Sequence, residues 1–305
     1  MKIAIALGGN ALGNDCQTQK ENARLTAKKI VDIIKLGHDV IITHGNGPQV
    51  GLINLAFSEA KKTNEKVSDM PFSECGAMSQ GYIGYHLQNA IQNELDEEHI
   101  NKKVVSLITQ VEVDKDDPAF LDPTKPIGSF YSKEEALKLP YPVKEDSGRG
   151  YRRVIASPRP KRIIEDEQIA SLIDSGYVVV ACGGGGIPVI RVDNSLQGVD
   201  AVIDKDYASS KLADSINADC LLILTTVDAA VINFKCPNET KLYEASVMEM
   251  EEYNKQGHFK AGSMKPKVEA SIDFVKGGVN RKAIITSIDE ASNALQGLSG
   301  TLIHN

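Results

Sequence analysis

The chain has 305 residues, 42% of them hydrophobic and 25% charged, with a formal net charge of −7. That length buries a sizeable core, as one large α/β domain or two lobes, and the composition excludes wholesale disorder. The acidic balance argues against a general binder of nucleic acid or anionic membranes; the basic cluster Arg149, Arg152, Arg153, Arg159, Lys161 and Arg162 reads as a solvated loop surface.

The opening MKIAIALGGN enters a strand over residues 3–7 without the basic region, apolar stretch and cleavage site of a signal peptide. A helix follows over Gln19–Leu36, with Ala23, Ala27, Ile30 and Ile34 at helical spacing. "DVIITHGNGPQVG" repeats the logic of strand, glycine-rich turn and helix, the last primed by Pro48. Residues 74–97 read as a long helix and "KVVSLITQVEV" as one further strand.

Regularity lapses over 114–165, where seven prolines stand among many charges; a stretch of that kind is expected to be an inserted subdomain or lid. Alternation resumes with a helix near 166–175, the strand "YVVVACGGGG", a hairpin over 187–203 and a helix from about 207. The strand "DCLLILTTVD", helices near 246–256 and 266–276, the strand "KAIITS" and a short closing strand complete the pattern. Strands alternating with helices imply a mainly parallel sheet, whose ligands bind at the carboxyl ends of its strands. No run of eighteen apolar residues occurs, so no membrane span is expected. Cys16, Cys75, Cys182, Cys220 and Cys236 form no CxxC pair, which predicts neither a disulfide framework nor a zinc site, and a cytoplasmic protein.

Five stretches carry candidate chemistry. Gly8-Gly9-Asn10 can converge backbone N–H groups on an anion, although it also fits an ordinary turn. "HGNGPQVG" (His44–Gly51) has the wrong spacing for a dinucleotide fingerprint, and His44 is not assigned as a base because strand-end histidines usually satisfy local hydrogen bonds. "VIDKDYAS" delivers Asp204, Lys205 and Asp206 just before a helix. Asp206 can be its N-cap, but a lysine at that end opposes the helix dipole unless an anion binds there. "GSMKPKV" repeats the anomaly with Lys265 and Lys267 around Pro266. In "TTVD", Asp228 can orient a ribose or a lysine, or cap a turn.

Together "ALGGNAL", "THGNGPQVG", "DPTKPIG", "CGGGGIPV", "VIDKDYAS", "TTVD" and "GSMKPKV" resemble the amino acid kinase family, most closely its carbamate-phosphorylating branch, across residues 4 to about 268. The resemblance implies a three-layer αβα sandwich around an open, mainly parallel sheet. It also implies a single domain over 1–305 with a protruding subdomain at 114–165, an acceptor site in the N-terminal part, a nucleotide-binding part from about 196 to 305, and a homodimer. The implied reaction is reversible phosphoryl transfer between ATP and carbamate, as in arginine and carbamoyl phosphate catabolism. Mg²⁺ would be held mainly by ATP or ADP rather than by protein ligands. Gly8, Gly9, Asn10, Gly45, Asn46, Gly47 and Gly51 would cradle carbamate and phosphate. Lys205 and Lys267 would neutralise the moving phosphoryl group, Asp206 would hold those lysines, and Lys125 would reach carbamoyl phosphate from the protruding segment. Asp204, Asp228, Gly262, Ser263 and Met264 would belong to the nucleotide site. Many family members carry a lysine just before the first glycine pair; here Ala6-Leu7 stands there, so the charge is expected from Lys205, Lys267 and Lys125. The alternatives are a sibling kinase of another acceptor and a catalytically silent nucleotide-binding regulator.

Overall fold

The computed structural model describes residues 1–8, 13, 15–146 and 148–305. In chain order the first half contains β1 (Lys2–Leu7), α1 (Cys16–Lys35), β2 (Asp39–His44), α2 (Gly47–Thr63) and α3 (Phe72–Glu97). Then come β3 (Val104–Ser106), β4 (Gln110–Val113), β5 (Lys125–Tyr131), α4 (Lys133–Ala136), β6 (Val143–Glu145), β7 (Tyr151–Ile155) and β8 (Pro160–Ile163). The second half has α5 (Asp166–Asp174), β9 (Val178–Val180), β10 (Ile187–Val192), β11 (Ser195–Gly198), α6 (Lys205–Ser215) and β12 (Cys220–Thr225). It closes with β13 (Ala230–Ile232), β14 (Thr240–Leu242), β15 (Glu244–Ser246), α7 (Val247–Lys255), α8 (Met264–Lys276), β16 (Lys282–Ser287), α9 (Ala291–Leu295) and β17 (Thr301–His304).

The main sheet runs β15-β17-β16-β12-β1-β2-β9-β3 and is parallel except where β17 meets β16. Both faces are covered, so β1 is apolar throughout and its alternation sorts side chains between two cores. Ile3, Ile5 and Leu7 pack with α1, α3 and α9, whereas Ala4 and Ala6 pack with α5, α6, α7 and α8. The result is an αβα sandwich. From β1 the chain steps to β2 on one side and later returns to β12 on the other, which places the reversal of strand order beside β1.

Two local readings needed correction. "KVVSLITQVEV" is not one strand: β3 edges the main sheet, and after a turn β4 joins a second sheet of order β11-β10-β4-β8. Apolar residues on both sides of Leu107–Thr109 hid the break. Helix α1 begins at Cys16 rather than Gln19, because Asp15 caps it by accepting from the Thr18 N–H at 2.9 Å. Within 114–165, strands β5, β7 and β6 form a three-stranded antiparallel sheet, while β8 returns to the second sheet. The basic residues there are largely engaged: Arg149 and Arg152 pair with Asp146, and Arg153 donates to Asn54 Oδ1 at 3.0 Å.

Candidate active site

The carboxyl ends of β1 and β2 lie side by side, with Leu7 opposite His44, so Gly8 and Gly45 leave adjacent strands together. Gly9 and Asn10 lie outside the described residues. Gly45 donates its N–H to the Leu7 carbonyl at 3.2 Å, and Gly47 begins α2 with Pro48 in the first turn. The backbone N–H groups of that turn have no intrahelical acceptor, which makes it an anion-binding end.

Asn46 is turned inward: its amide donates to Ser79 Oγ at 2.8 Å and packs against the turn after β9. In that turn Gly184 has φ +67°, and a Cβ on it would lie 2.1 Å from Asn46 Nδ2, so only glycine fits. Gln80 fastens the same turn, donating to the Thr109 and Gly183 carbonyls at 3.0 and 3.1 Å. These supports went unassigned in the sequence; the signal was the run of four glycines, but their partners are distant in the chain.

His44 is buried beneath this turn and donates from Nδ1 to the Gly45 carbonyl at 3.0 Å. Burial, with the Lys205 charge adding to it, drives its pKa down to about 4, so it is a neutral packing group at pH 7.

Helix α6 begins at Lys205, earlier than the sequence suggested, and its N-cap is Asp204 rather than Asp206. Asp204 accepts the Asp206 N–H at 3.0 Å, which frees the Asp206 carboxylate for another use. One Asp206 oxygen takes Lys205 Nζ at 2.5 Å and the other takes Lys267 Nζ, from the first turns of α8, at 2.9 Å. Only 4% of the Asp206 side chain is exposed, against 11% and 14% for the two lysines. Burial works to raise the Asp206 pKa, but the two ammonium groups outweigh it and hold the carboxyl well below the usual range. Burial pushes the Lys205 pKa down, opposed by Asp206 and reinforced by Lys267. One carboxylate therefore serves two cations, and a bound anion would relieve the remaining positive charge.

Other contacts tie this unit to the sheet and to 125–155. Thr43 Oγ1 and Ser209 Oγ lie 2.5 Å apart, fastening α6 to β2. Lys125, the first residue of β5, reaches Asp204 Oδ2 at 2.5 Å. Gly51, expected in the phosphate cradle, lies inside α2, where a Cβ would fall 2.3 Å from the Gly128 Cα. Its evident role is to let β5 approach the helix. Asp228 is exposed in the bend after β12, Gly262 and Ser263 are exposed in the turn before α8, and Met264 opens that helix. Lys265 is 44% exposed and lies 3.8 Å from Glu269, away from the Asp206 pair. Among the described residues no cluster of three His, Cys, Asp or Glu side chains could hold a metal ion.

Paired lysines that share one carboxylate at the starts of two helices, on a sheet whose strands β1 and β2 end side by side in glycine, are an arrangement suited to phosphoryl transfer. The sequence pattern of the amino acid kinase family matches residues 1–287, and the chain belongs to that family. It is 54% identical to the carbamate kinase-like protein YqeA of Escherichia coli over 305 residues, covering 99% of this chain and 98% of that protein. It is 52% identical to the carbamate kinase of Clostridium perfringens, covering 99% of both. The structure of Giardia lamblia carbamate kinase bound to AMP-PNP superposes with a TM-score of 0.92 at 44% identity, covering 99% of this chain and 98% of that one. Among the described residues no helix is long and apolar enough to cross a membrane.

Proposed function

We propose that this kinase transfers a phosphoryl group reversibly between ATP and carbamate, and converts carbamoyl phosphate and ADP into carbamate and ATP. The observation that carries the reading is the Lys205–Asp206–Lys267 clamp at the strand ends, with Lys125 brought to the same helix terminus. Full-length similarity to carbamate kinases supports the choice of acceptor.

Phosphoryl transfer asks of the protein mainly alignment and charge neutralisation. Carbamate is itself an anionic nucleophile, so no base is required, in keeping with a buried neutral His44. In the ATP-forming direction a β-phosphate oxygen of ADP attacks the phosphorus of carbamoyl phosphate, the P–O bond to the carbamoyl oxygen breaks, and carbamate leaves with that electron pair. Gly8, Gly9, Asn10, Gly45, Asn46 and Gly47 hold the acceptor and the transferred group. Lys205 and Lys267 stabilise its equatorial oxygens while Asp206 fixes their direction, and Lys125 neutralises carbamoyl phosphate. Gly51 contributes the close seating of β5 rather than a phosphate contact.

The nucleotide is assigned to the part from about 196 to 305, near Asp228, Gly262, Ser263 and Met264. Asp204 and Asp206 already face lysines, which fits a Mg²⁺ carried mainly by the nucleotide. Bound there, it would offset the negative charge of the phosphates. The family resemblance supports a cytoplasmic homodimer with one domain over 1–305 and a protruding subdomain at 114–165; sedimentation analysis tests the dimer.

The deciding assay supplies carbamoyl phosphate, ADP and Mg²⁺ and measures ATP, with acetyl phosphate as control. Rapid ATP formation lost in Lys205→Ala is the expected result. Folded, nucleotide-binding protein that makes no ATP overturns the reading and favours a sibling kinase or a regulator.

A further inference from the structure

Asp204 engages both its carboxylate oxygens inside the protein, and its two partners belong to different parts of the site. Oδ1 accepts the Asp206 N–H at 3.0 Å and so fixes the first turn of α6, which carries half of the lysine clamp. Oδ2 accepts from Lys125 Nζ at 2.5 Å, across 79 residues of sequence. The Asp204 side chain is 13% exposed and that of Lys125 31%, unlike a surface pair such as Lys144–Asp122, at 48% and 76%. Partly buried charges are screened less than exposed ones, so this pair exerts a directional hold that surface pairs lack.

The surrounding backbone points the same way. Lys125 pairs with Ile155 across β5 and β7. The next residue, Ala156, bridges Ala201 and accepts the Val202 N–H at 2.9 Å. The short segment 201–204 is therefore attached to the β5–β7 sheet at its start through Ala156 and at its end through Lys125. It then runs directly into Lys205 and Asp206.

We infer that Asp204 is a positioning residue that holds Lys125 in register with the Lys205–Asp206–Lys267 clamp. A lysine side chain is long and flexible, so the seating of β5 alone does not place its ammonium. The carboxylate at the helix cap does, and it couples the position of the β5–β7 sheet to the first turn of α6. This inference rests on the phosphotransferase reading above and departs from an assignment of Asp204 to the nucleotide.

The test compares full-length wild type with Asp204→Asn, Lys125→Ala and the double variant. Asparagine caps a helix as well as aspartate does, so Asp204→Asn keeps the bond to Asp206 and removes the charge that holds Lys125. Three measurements are made: kinetics with carbamoyl phosphate and ADP, ADP affinity by calorimetry, and the rate of reductive methylation at Lys125 by mass spectrometry. The expected results are a fall of about 10–10²-fold in kcat/KM for carbamoyl phosphate in Asp204→Asn, by analogy with the cost of a misplaced catalytic group, with ADP affinity unchanged. The double variant should be no worse than Lys125→Ala, and Lys125 should be methylated faster in Asp204→Asn than in wild type. Multiplicative losses in the double variant, weakened ADP binding with normal carbamoyl phosphate kinetics, or faster turnover in Asp204→Asn each overturn the inference. A wild type that makes no ATP defeats the functional reading instead; the methylation comparison still decides whether Asp204 holds Lys125, and an unchanged rate there overturns the inference.

Discussion

Replacing Gly51 with alanine tests whether the seating of β5 sets the activity. The added Cβ would lie 2.3 Å from the Gly128 Cα and 2.4 Å from its N, with backbone on both sides and no side chain to yield. Carbon atoms rest at about 3.5–4.0 Å, so α2 and β5 must separate by roughly 1.2 Å or more. If the contact were held under compression, overpacking of this kind would cost about 1–3 kcal/mol. If β5 moves away instead, Lys125, three residues before Gly128, moves with it, and a displacement of that size costs about 10²-fold in rate. The expected result is a fall of about 10²-fold in kcat/KM for carbamoyl phosphate with a small change in Tm and unchanged ADP affinity, since β12 and α8 do not touch the altered contact. Gly81→Ala is the control. It lies inside α3, where a Cβ meets nothing within 4 Å, and should stabilise the chain by about 1 kcal/mol through helix propensity. Normal kinetics and normal Tm in Gly51→Ala would refute the claim that the approach of α2 and β5 positions Lys125.

Lys205→Ala should leave a folded protein with turnover reduced by about 10²–10³-fold, as expected for a lost transition-state donor, read in the coupled ATP assay. Asp206→Asn removes the shared counter-charge from two largely buried lysines and should lower stability by about 3 kcal/mol in urea titration, beyond its effect on rate. The His44 pKa is about 4 in the fold against about 6.5 in the unfolded chain, so its neutral form is favoured by folding. Its contribution is whole above pH 6.5 and is lost as pH falls toward 4, about 3 kcal/mol in all. A His44→Gln variant should lack that part of the acid slope, while the wild-type rate profile shows no limb near 6.5. Thiol titration of the native protein should find Cys16 and Cys236 readily, whereas buried Cys75, Cys182 and Cys220 respond only on unfolding; burial pushes the Cys220 thiol up to about 12.

The parallel sheet was legible because burial on both faces leaves its strands as unbroken apolar runs, and β1, β2, β12 and β16 were located from those runs alone. Lys205 and Lys267 stood out for a different reason: each stands at a helix start that disfavours a cation, and the structure brings both to Asp206. What sequence reasoning missed depended on long-range contacts. Gly51 looks like part of a glycine-rich turn, and only the proximity of Gly128, 77 residues on, shows that it is a spacer. Asp204 and Asp206 are two residues apart and both acidic, so either could cap α6. The choice was made by Lys267 and Lys125, which arrive from opposite directions in the chain.

The charge count at the clamp explains why one carboxylate, and not two, lies between the lysines. Lys205 and Lys267 are both largely buried at helix N-termini, where the dipoles add partial positive charge. With no carboxylate, burial would drive a lysine to give up its proton, and the depressed Lys205 pKa registers that tendency even with Asp206 in place. With two carboxylates the cations would be matched, and an incoming phosphate would have to displace one of them. A single shared Asp206 keeps both lysines oriented and leaves about one positive charge unmet. In the proposed reaction that residue of charge would complement a phosphoryl group in transit, and because the protein has already oriented it, little reorganisation would be needed when the group arrives. Lys125 adds its charge from a separate element and meets Asp204 rather than Asp206, so its position follows β5 and is tied through Asp204 to the first turn of α6.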